Sequence, residues 1–297
     1  MEKVKTAAEK PAERVIEKIL FLSACLSILS VVFISVFIIY EGAPLFSKVG
    51  LFEFLFGREW KPTGEPPKFG ILPFIMGSLW VTFGALIIAV PVGLAVGIFM
   101  AELAKGKIAR LLRSVTELLA GIPSVIYGLF GYIAIAPIIR RTFDSPTGLG
   151  ILTASIVLAI MILPTIINIT EVSIRAVPDE LKEGSLALGA THWQTIYKTL
   201  LPSARSGVIA GIILGMGRAI GETMAVLMVA GNSILMPKGP LSLTRTLTMN
   251  IATDMKYAAD DHWTSLFTTG IVLFVFILVL NIVVQALLKR TVEKKEG

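Results

Sequence analysis

The sequence contains little charge and few residues of the kinds that build reactive or metal sites. Of its 297 residues, 16% are charged and 55% are hydrophobic. The single cysteine, Cys25, excludes an internal disulfide and a thiolate metal site. His192 and His262 have no companions at ligand spacing, so we predict that the chain binds no metal. No Gly-x-x-x-x-Gly-Lys-Ser/Thr phosphate loop occurs, so we predict no nucleotide cofactor on this chain.

The apolar residues form long runs with almost no charge, a pattern typical of membrane proteins rather than soluble domains. About 20 apolar residues in a helix cross a hydrocarbon core about 30 Å thick. Runs this long are not barrel strands, and backbone amides in lipid need internal partners, so each run is predicted to be a helix. We therefore predict an all-α polytopic membrane protein with about six spans. Their predicted limits are Ile19–Tyr40, Ile71–Ala101, Leu118–Ile139, Leu149–Thr170, Ser206–Ala230 and Leu266–Leu288.

The distribution of Lys and Arg predicts the orientation of these spans. Both tails and the loops after the second and fourth spans carry 17 of these residues, and the opposite side carries 9. Because Lys and Arg concentrate in cytoplasmic segments, both termini are predicted to lie in the cytoplasm of a multi-pass inner-membrane protein. The first run is about twice as long as a signal-peptide core and lacks a small-x-small cleavage site before Glu41, so it is predicted to remain as a span.

Arg218 and Glu222 are the only charged residues within the six predicted spans. An ionised group at the bilayer centre costs roughly 2.5–3.5 kcal/mol, so such residues tend to face protein or water and to be functional. Gly207, Gly211 and Gly215 form a ladder of small residues that lets another helix approach closely. In one continuous helix the ladder and the charged pair share a face, which predicts that the pair points into the bundle.

Two hypotheses for this pair remain open. In the first, the guanidinium of Arg218 binds an oxyanion such as phosphate with two parallel hydrogen bonds, and Glu222 orients it and balances its charge. In the second, the two residues form a structural ion pair that joins helices without touching a substrate. Ser124, Tyr127 and Thr223 are candidate neutral donors along the same path, and packing is the alternative role for each of them.

The segment between the fourth and fifth spans, residues 171–205, is predicted to form a compact cytoplasmic knob. Pro178-Asp179-Glu180 favours a helix start, and Gly189 is predicted to end that helix. Thr191 is a candidate cap for a second short helix that ends before Pro202. An ordinary amphipathic loop on the membrane surface is the alternative. The apolar side chains predicted to be available for contact are Leu186, Leu188 and Trp193.

This knob resembles the EAA loop of type I ABC importer permeases. Glu183-Gly184-Ser185 stands where that family has Glu-Ala-Ala, and Gly189 and Leu201-Pro202 are in register with its pattern. Thr199 replaces an isoleucine of the pattern. The resemblance implies that the knob docks into a groove of a separate ATPase subunit. The residues that it assigns to this contact are Glu183, Gly184, Ser185, Leu186, Gly189 and Pro202.

Further motifs, spread over nearly the whole chain, resemble the phosphate-specific permeases within that family, and the last of them resembles the PstC family more than its PstA partner. They are Phe69–Pro73 with Gly77-Ser78, Gly121–Gly128, Gly217–Val226, and Arg245–Thr248 through His262-Trp263. The resemblance implies a transport subunit and not an enzyme. Its implied partners are a PstA-like second permease subunit, a PstB-like ATPase dimer that binds ATP and Mg, and a PstS-like periplasmic phosphate-binding protein.

The predicted division of the chain has three parts. Residues 1–70 form the cytoplasmic N-tail, the first span and a periplasmic loop, residues 71–289 form the permease core, and residues 290–297 form a cytoplasmic tail. Three alternatives to a phosphate permease remain open: a permease for sulfate or molybdate, a secondary transporter driven by an ion gradient, and a non-transporting membrane scaffold or enzyme. The lack of a clear internal repeat argues against an inverted-repeat secondary transporter.

Overall fold

A computed structural model describes the backbone of residues 11–293 and the side chains of residues 15–283. Helices make up most of it, and the only sheet in this range is a two-stranded antiparallel hairpin. The helices are α1 (Pro11–Val49), α2 (Leu51–Phe56), α3 (Leu72–Ile98), α4 (Gly106–Gly121), α5 (Ser124–Phe130), α6 (Ala136–Thr142), α7 (Ile151–Arg175), α8 (Asp179–Ala187), α9 (His192–Thr195), α10 (Leu201–Ser203), α11 (Arg205–Gly221), α12 (Met224–Val229), α13 (Leu247–Asp254) and α14 (Asp260–Glu293). The strands are β1 (Trp60–Lys61) and β2 (Lys68–Phe69), and π-helical turns cover Phe99–Leu103, Gly131–Ile135 and Ile196–Leu200.

Five helical segments within the described residues are long and apolar enough to cross a membrane. They are Val15–Val49, Leu72–Leu103, Ser124–Thr142, Ile151–Arg175 and Asp260–Val283. A sixth candidate is the bent pair His192–Ser203 and Arg205–Gly221, whose two parts meet at 70°. The predicted all-α polytopic architecture is therefore confirmed.

Two of the predicted spans have wrong limits because a short break interrupts an apolar run. The run Leu118–Ile139 is not one helix, since α4 ends at Gly121 and α5 begins after Pro123. The run Ser206–Ala230 is likewise two helices, because α11 ends at Gly221 and Glu222 adopts an extended backbone. Hydropathy alone does not detect breaks of one or two residues inside an apolar segment.

Glycines bring α7 into close contact with two neighbouring helices. A Cβ added to Gly93 of α3 would lie 2.7 Å from Ile166 of α7, and one added to Gly97 would lie 2.7 Å from Thr170. Residue numbers rise together on the two helices, so α3 and α7 are parallel. On α11, Gly211 faces Ile169 and Gly215 faces Ile166, so α11 runs antiparallel to α7. The predicted glycine ladder of α11 is thus confirmed as a helix-packing surface.

Helix α7 is the centre of the bundle, whereas α1 lies at its edge. In the most apolar window of α7, 67% of the residues are buried, compared with none in α1. Helix α1 contacts α14, where Thr268 Oγ1 donates to the carbonyl oxygen of Gly42 over 2.7 Å and Phe37 packs edge-on against Phe267. Between Ile19 and Tyr40, the exposed side chains of α1 are mostly apolar, as expected for a helix surrounded by lipid.

A second core lies at the end of the bundle opposite the knob. Leu45, Phe54, Trp60, Phe69 and Phe74 are buried there together. Trp60 packs edge-on against Phe74, with the ring centroids 5.4 Å apart. This core joins the α1–α3 connection to the α13–α14 region, so the two segments form one cap. The division of the chain at residue 70 stays a prediction.

Candidate functional site

The predicted knob consists of two short helices joined by a tight turn. Pro178 precedes α8, and Asp179 and Glu180 occupy its first turn, where acidic side chains complement the helix dipole. Gly189 follows α8 with a φ of 84°, which is the left-handed conformation that favours glycine at a helix C-terminus. Thr191 caps α9 through a capping box with Gln194. These predictions of helix start, stop and cap are confirmed. The predicted end of the second helix before Pro202 is wrong, because the π-helical turn Ile196–Leu200 and α10 continue the helical path to Ser203. Proline is tolerated there because it lies in the first turn of α10.

Large apolar side chains are exposed on the outer surface of the knob. The side chain of Leu188 is 91% exposed, and those of Trp193 and Tyr197 are 65% exposed. Leu186 and Glu183 are exposed beside them. Exposed apolar side chains of this size, on a segment that contains charged residues, form a surface suited to a protein partner.

Two departures from the EAA pattern contact each other. Ser185 Oγ lies 3.1 Å from Thr195 Oγ1, and Thr199 Oγ1 donates to Ser185 Oγ over 3.4 Å. A polar contact thus stands where the family pattern has alanine and isoleucine. At Gly184, an added Cβ would meet no atom within 4 Å, so the fold does not require glycine there.

A buried carboxylate joins several helices at the knob end of the bundle. Glu171 on α7, whose side chain is 6% exposed, accepts from Arg113 Nη2 over 2.7 Å and from Arg175 Nε over 3.0 Å. Arg175 also donates to the carbonyl oxygen of Met100 over 2.8 Å. These contacts tie α4, α7 and the π-helical turn after α3 into one layer.

Arg218 lies halfway across the bundle. Gly215 packs beside Ile162 and Ile166 of the antiparallel α7. One turn further along α11, Arg218 is therefore level with the middle of α7, which begins at Ile151 and ends at Arg175. Arg218 is exposed on the single chain, so the prediction that it points into the bundle is wrong for this chain alone. Within residues 15–283, its guanidinium makes no hydrogen bond or ion pair.

The predicted pairing of Arg218 with Glu222 is wrong. It assumed a continuous helix, but α11 ends at Gly221 and Glu222 leaves the helical path. The carboxylate of Glu222 instead accepts from the backbone N–H of Ala225 over 3.0 Å, so it caps the start of α12. The positive charge of Arg218 is therefore left without a carboxylate partner among the described residues.

The three candidate neutral donors surround the break but are not equally available. Tyr127 is buried and donates to the carbonyl oxygen of Leu119 over 2.7 Å. Thr223 Oγ1 makes only a long hydrogen bond of 3.3 Å to the carbonyl oxygen of Gly221. Ser124 is partly exposed, and its hydroxyl makes no hydrogen bond to another described residue. Tyr127 therefore has a structural contact, whereas Ser124 and Thr223 keep donor capacity.

Helices α5 and α12 begin at the same level of the bundle. A Cβ added to Gly128 would lie 3.0 Å from Ala225, and one added to Gly131 would lie 2.8 Å from Val229. The contacts advance together, so the two helices are parallel. One helical turn back from Gly128, Ser124 lies beside the break that follows Gly221.

The comparison with known families decides what this bundle is. The model of the binding-protein-dependent transport system inner membrane component family matches residues 93–293. The chain belongs to this family. The permease therefore is a multi-pass inner-membrane transport component, as the sequence predicted.

Curated relatives resemble the permease over most of its length. The probable ABC transporter permease protein YqgH of Bacillus subtilis (strain 168) is 42% identical in an alignment of 267 residues, and the match covers 87% of this chain and 86% of the relative. The phosphate transport system permease protein PstC of Pasteurella multocida (strain Pm70) is 36% identical in an alignment of 271 residues, and the match covers 85% of this chain and 83% of the relative. The predicted resemblance to the PstC family is confirmed.

Solved structures show the same fold at low sequence identity. A chain of a bacterial alginate ABC transporter matches 95% of the permease and 99% of that chain, with a TM-score of 0.65 and 13% identity. A chain of the MetNI methionine ABC transporter matches 75% of the permease and 95% of that chain, with a TM-score of 0.57 and 21% identity. The predicted MetI-like permease fold is confirmed.

A buried polar cluster in the cap of the permease was not predicted. The side chain of Arg245 is 9% exposed, and its Nη1 donates to Asp254 Oδ1 over 3.0 Å and to Asn250 Oδ1 over 2.9 Å. Trp60 Nε1 donates to the other carboxylate oxygen of Asp254 over 3.0 Å. His262 Nε2 lies 3.4 Å from that oxygen, whereas His192 lies in the knob, 3.8 Å from Glu102. The prediction of no metal site remains a prediction.

The cap reaches the break beside Arg218 through α13. Thr248 Oγ1 donates to the carbonyl oxygen of Glu222 over 3.0 Å, and Ser78 Oγ accepts from the N–H of Leu247 over 3.0 Å. Three of the sequence motifs that carry the family resemblance therefore meet here: the end of Phe69–Ser78, the break in Gly217–Val226 and the start of α13. The sequence identified these three motifs separately, but it did not indicate that they contact one another.

Proposed function

We propose that the permease translocates inorganic phosphate across the inner membrane, driven by ATP hydrolysed on a separate subunit. One observation carries the choice of an anion: Arg218 is a cation at mid-membrane depth that has no carboxylate partner among the described residues. The relatives named as PstC support phosphate as that anion.

Arg218 suits phosphate because of its charge and its geometry. Placing an ionised group at the bilayer centre costs roughly 2.5–3.5 kcal/mol, which favours a water-filled path or a bound anion beside it. The guanidinium presents parallel N–H groups that match two oxygens of a tetrahedral oxyanion. Ser124 and Thr223 would add neutral donors, and Glu222 would hold the break open by capping α12.

The exposure of Arg218 on a single chain supports a second permease subunit on that face. A PstA-like subunit would cover α11 and turn the exposed face into the wall of a path. On this proposal, a PstS-like periplasmic protein delivers phosphate to the cap, and both termini lie in the cytoplasm with the knob. The excess of Lys and Arg on the knob side of the spans supports that orientation.

The knob would receive the force from a PstB-like ATPase dimer. Its exposed surface around Leu186, Leu188 and Trp193 would sit in the ATPase, with Glu183 at the rim. When ATP draws the two ATPase subunits together, the knobs of both permease subunits would move, and the bundle would change from inward to outward access. This chain would supply binding and movement without catalysing a reaction.

The test is uptake by the complete transporter in vesicles. The permease would be purified with its second permease subunit, its ATPase and its binding protein, and uptake of radiolabelled inorganic phosphate would be measured with and without ATP. We expect ATP-dependent uptake that a tenfold excess of sulfate or molybdate lowers by no more than about a tenth, which requires about hundredfold discrimination in affinity, or about 2.7 kcal/mol. Uptake inhibited by sulfate or molybdate would indicate another oxyanion. Uptake driven by an ion gradient without ATP would overturn the proposal.

A further inference from the structure

Glu102 is a buried acid at the knob end of α3. It lies in the π-helical turn Phe99–Leu103, and its side chain is 7% exposed. The Nζ of Lys182 lies 2.6 Å from its Oε2, and His192 Nε2 lies 3.8 Å from the same atom. Lys182 belongs to α8, and His192 is the first residue of α9. Both halves of the knob therefore approach one carboxylate that belongs to a transmembrane helix.

The position of this contact in the chain gives it a particular role. The knob is joined covalently to α7 at one end, through residues 176–178, and to α11 at the other, through α10. The knob has no such short link to α3, because two further spans lie between α3 and the knob in the chain. A movement of the knob therefore reaches α7 and α11 through the backbone. It reaches α3 through packing, either by way of α7 or through direct side-chain contacts with the knob.

Two kinds of side-chain contact join the knob and α3. Ile196 and Leu200 belong to an apolar cluster that includes Leu94 and Ile98 of α3. Apolar contact is non-directional and tolerates sliding. The ion pair between Glu102 and Lys182 fixes one atom of α8 relative to one atom at the end of α3. Because Glu102 is buried, loss of Lys182 would be costly, since an unpaired buried carboxylate would remain.

We propose that the Glu102–Lys182 ion pair is the contact through which movement of the knob is transmitted to α3. Glu102 and Lys182 are positioning residues, and neither contacts the transported anion. This inference rests on the proposed function, in which the knob docks an ATPase. It predicts that charge reversal of one partner separates ATP hydrolysis from transport, and that reversal of both partners restores the coupling.

The experiment measures phosphate transported per ATP hydrolysed by the complete transporter in vesicles. Glu102→Lys and Lys182→Glu are each expected to lower this ratio by at least about fivefold, while the ATPase still co-purifies. The double variant Glu102→Lys/Lys182→Glu is expected to return it to within about twofold of the wild type, because the pair is rebuilt with opposite polarity. Lys107→Glu is the control: Lys107 is exposed on α4, outside the knob, and makes no ion pair among the described residues, so its ratio should not change.

The outcomes separate this inference from the proposed function. If the wild-type complex does not accumulate phosphate, or holds no ATPase, the proposed function fails. If the wild type transports and both single reversals keep its ratio, or if the double variant is no better than the singles, the ion pair is not the transmitting contact. Where a reversal prevents assembly, Glu102→Gln keeps the side-chain shape and removes the charge. An unchanged ratio in Glu102→Gln would also overturn the inference.

Discussion

Replacing Gly189 with alanine is expected to weaken docking of the ATPase by roughly 5- to 30-fold. Gly189 has a φ of 84°, which lies in the left-handed region. A residue with a Cβ costs about 1–2 kcal/mol in that conformation. An added Cβ would meet no atom within 4 Å, so the cost comes from the backbone and not from a collision. The variant knob would therefore adopt its docking conformation less often, and the strain of about 1–2 kcal/mol sets how much the apparent affinity for the ATPase falls.

Gly184 provides a matched control on the same knob. An added Cβ there also meets no atom within 4 Å, but Gly184 lies inside α8 with helical geometry. Alanine is favoured over glycine within a helix by about 0.5–1 kcal/mol, so Gly184→Ala should dock as well as the wild type or slightly better. Gly189→Asn should fall between the two, because asparagine tolerates the left-handed conformation better than alanine.

The assay is a titration of the purified ATPase against the solubilised pair of permease subunits, read as a dissociation constant. The order of affinity expected is Gly184→Ala, then Gly189→Asn, then Gly189→Ala. Wild-type affinity for Gly189→Ala would show that the turn after α8 does not set the docking shape. A loss for Gly184→Ala equal to that for Gly189→Ala would show that general damage to the knob, and not backbone strain, causes the effect.

Three further substitutions test other parts of the structure. Gly97→Ala should lower the free energy of unfolding by about 1–3 kcal/mol, because its Cβ would lie 2.7 Å from a side chain of α7. Gly217→Ala should not lower it, because an added Cβ there meets no atom within 4 Å. Equal melting temperatures for the two variants would contradict the close packing of α3 on α7. Tyr127→Phe should cost about 1 kcal/mol of stability without changing anion preference, since its hydroxyl bonds a backbone carbonyl, and altered selectivity would instead place it on the path. Thr248→Val should raise the KM for phosphate by releasing the Glu222 carbonyl, whereas Thr248→Ser should not; equal KM values would show that the contact does not shape the path.

The sequence predicts the knob well because its signals are local. Gly189, Thr191 and the Pro178 start each act within a few residues of their own position, and each is found in its predicted role. The packing role of the glycine ladder of α11 is also predictable from the sequence, because regularly spaced small residues on one helix face indicate close contact with another helix. The mid-membrane location of Arg218 follows from its place inside an apolar run.

The parts that sequence could not supply depend on long-range contacts or on short breaks. Glu222 looked like a helical neighbour of Arg218 because nothing in Gly-Glu-Thr-Met distinguishes a broken helix from a continuous one. The break is held in part by Thr248, which lies 26 residues later in the chain. Trp60 and Asp254 are 194 residues apart, and Glu102 and Lys182 lie on opposite sides of α7 in the chain. The periodic patterns of a sequence predict helices and their faces, but they do not predict which distant residues contact each other.

The most direct measurement is phosphate uptake by the complete transporter carrying Arg218→Lys, compared with Arg110→Lys. Both changes keep the charge and remove a guanidinium, but Arg110 lies on α4, outside the proposed path. We expect uptake to fall about tenfold or more for Arg218→Lys, since one well-made bidentate contact is worth more than about 1.4 kcal/mol, and to stay unchanged for Arg110→Lys. Full uptake with the same preference for phosphate over sulfate in Arg218→Lys would contradict recognition of the anion by this guanidinium.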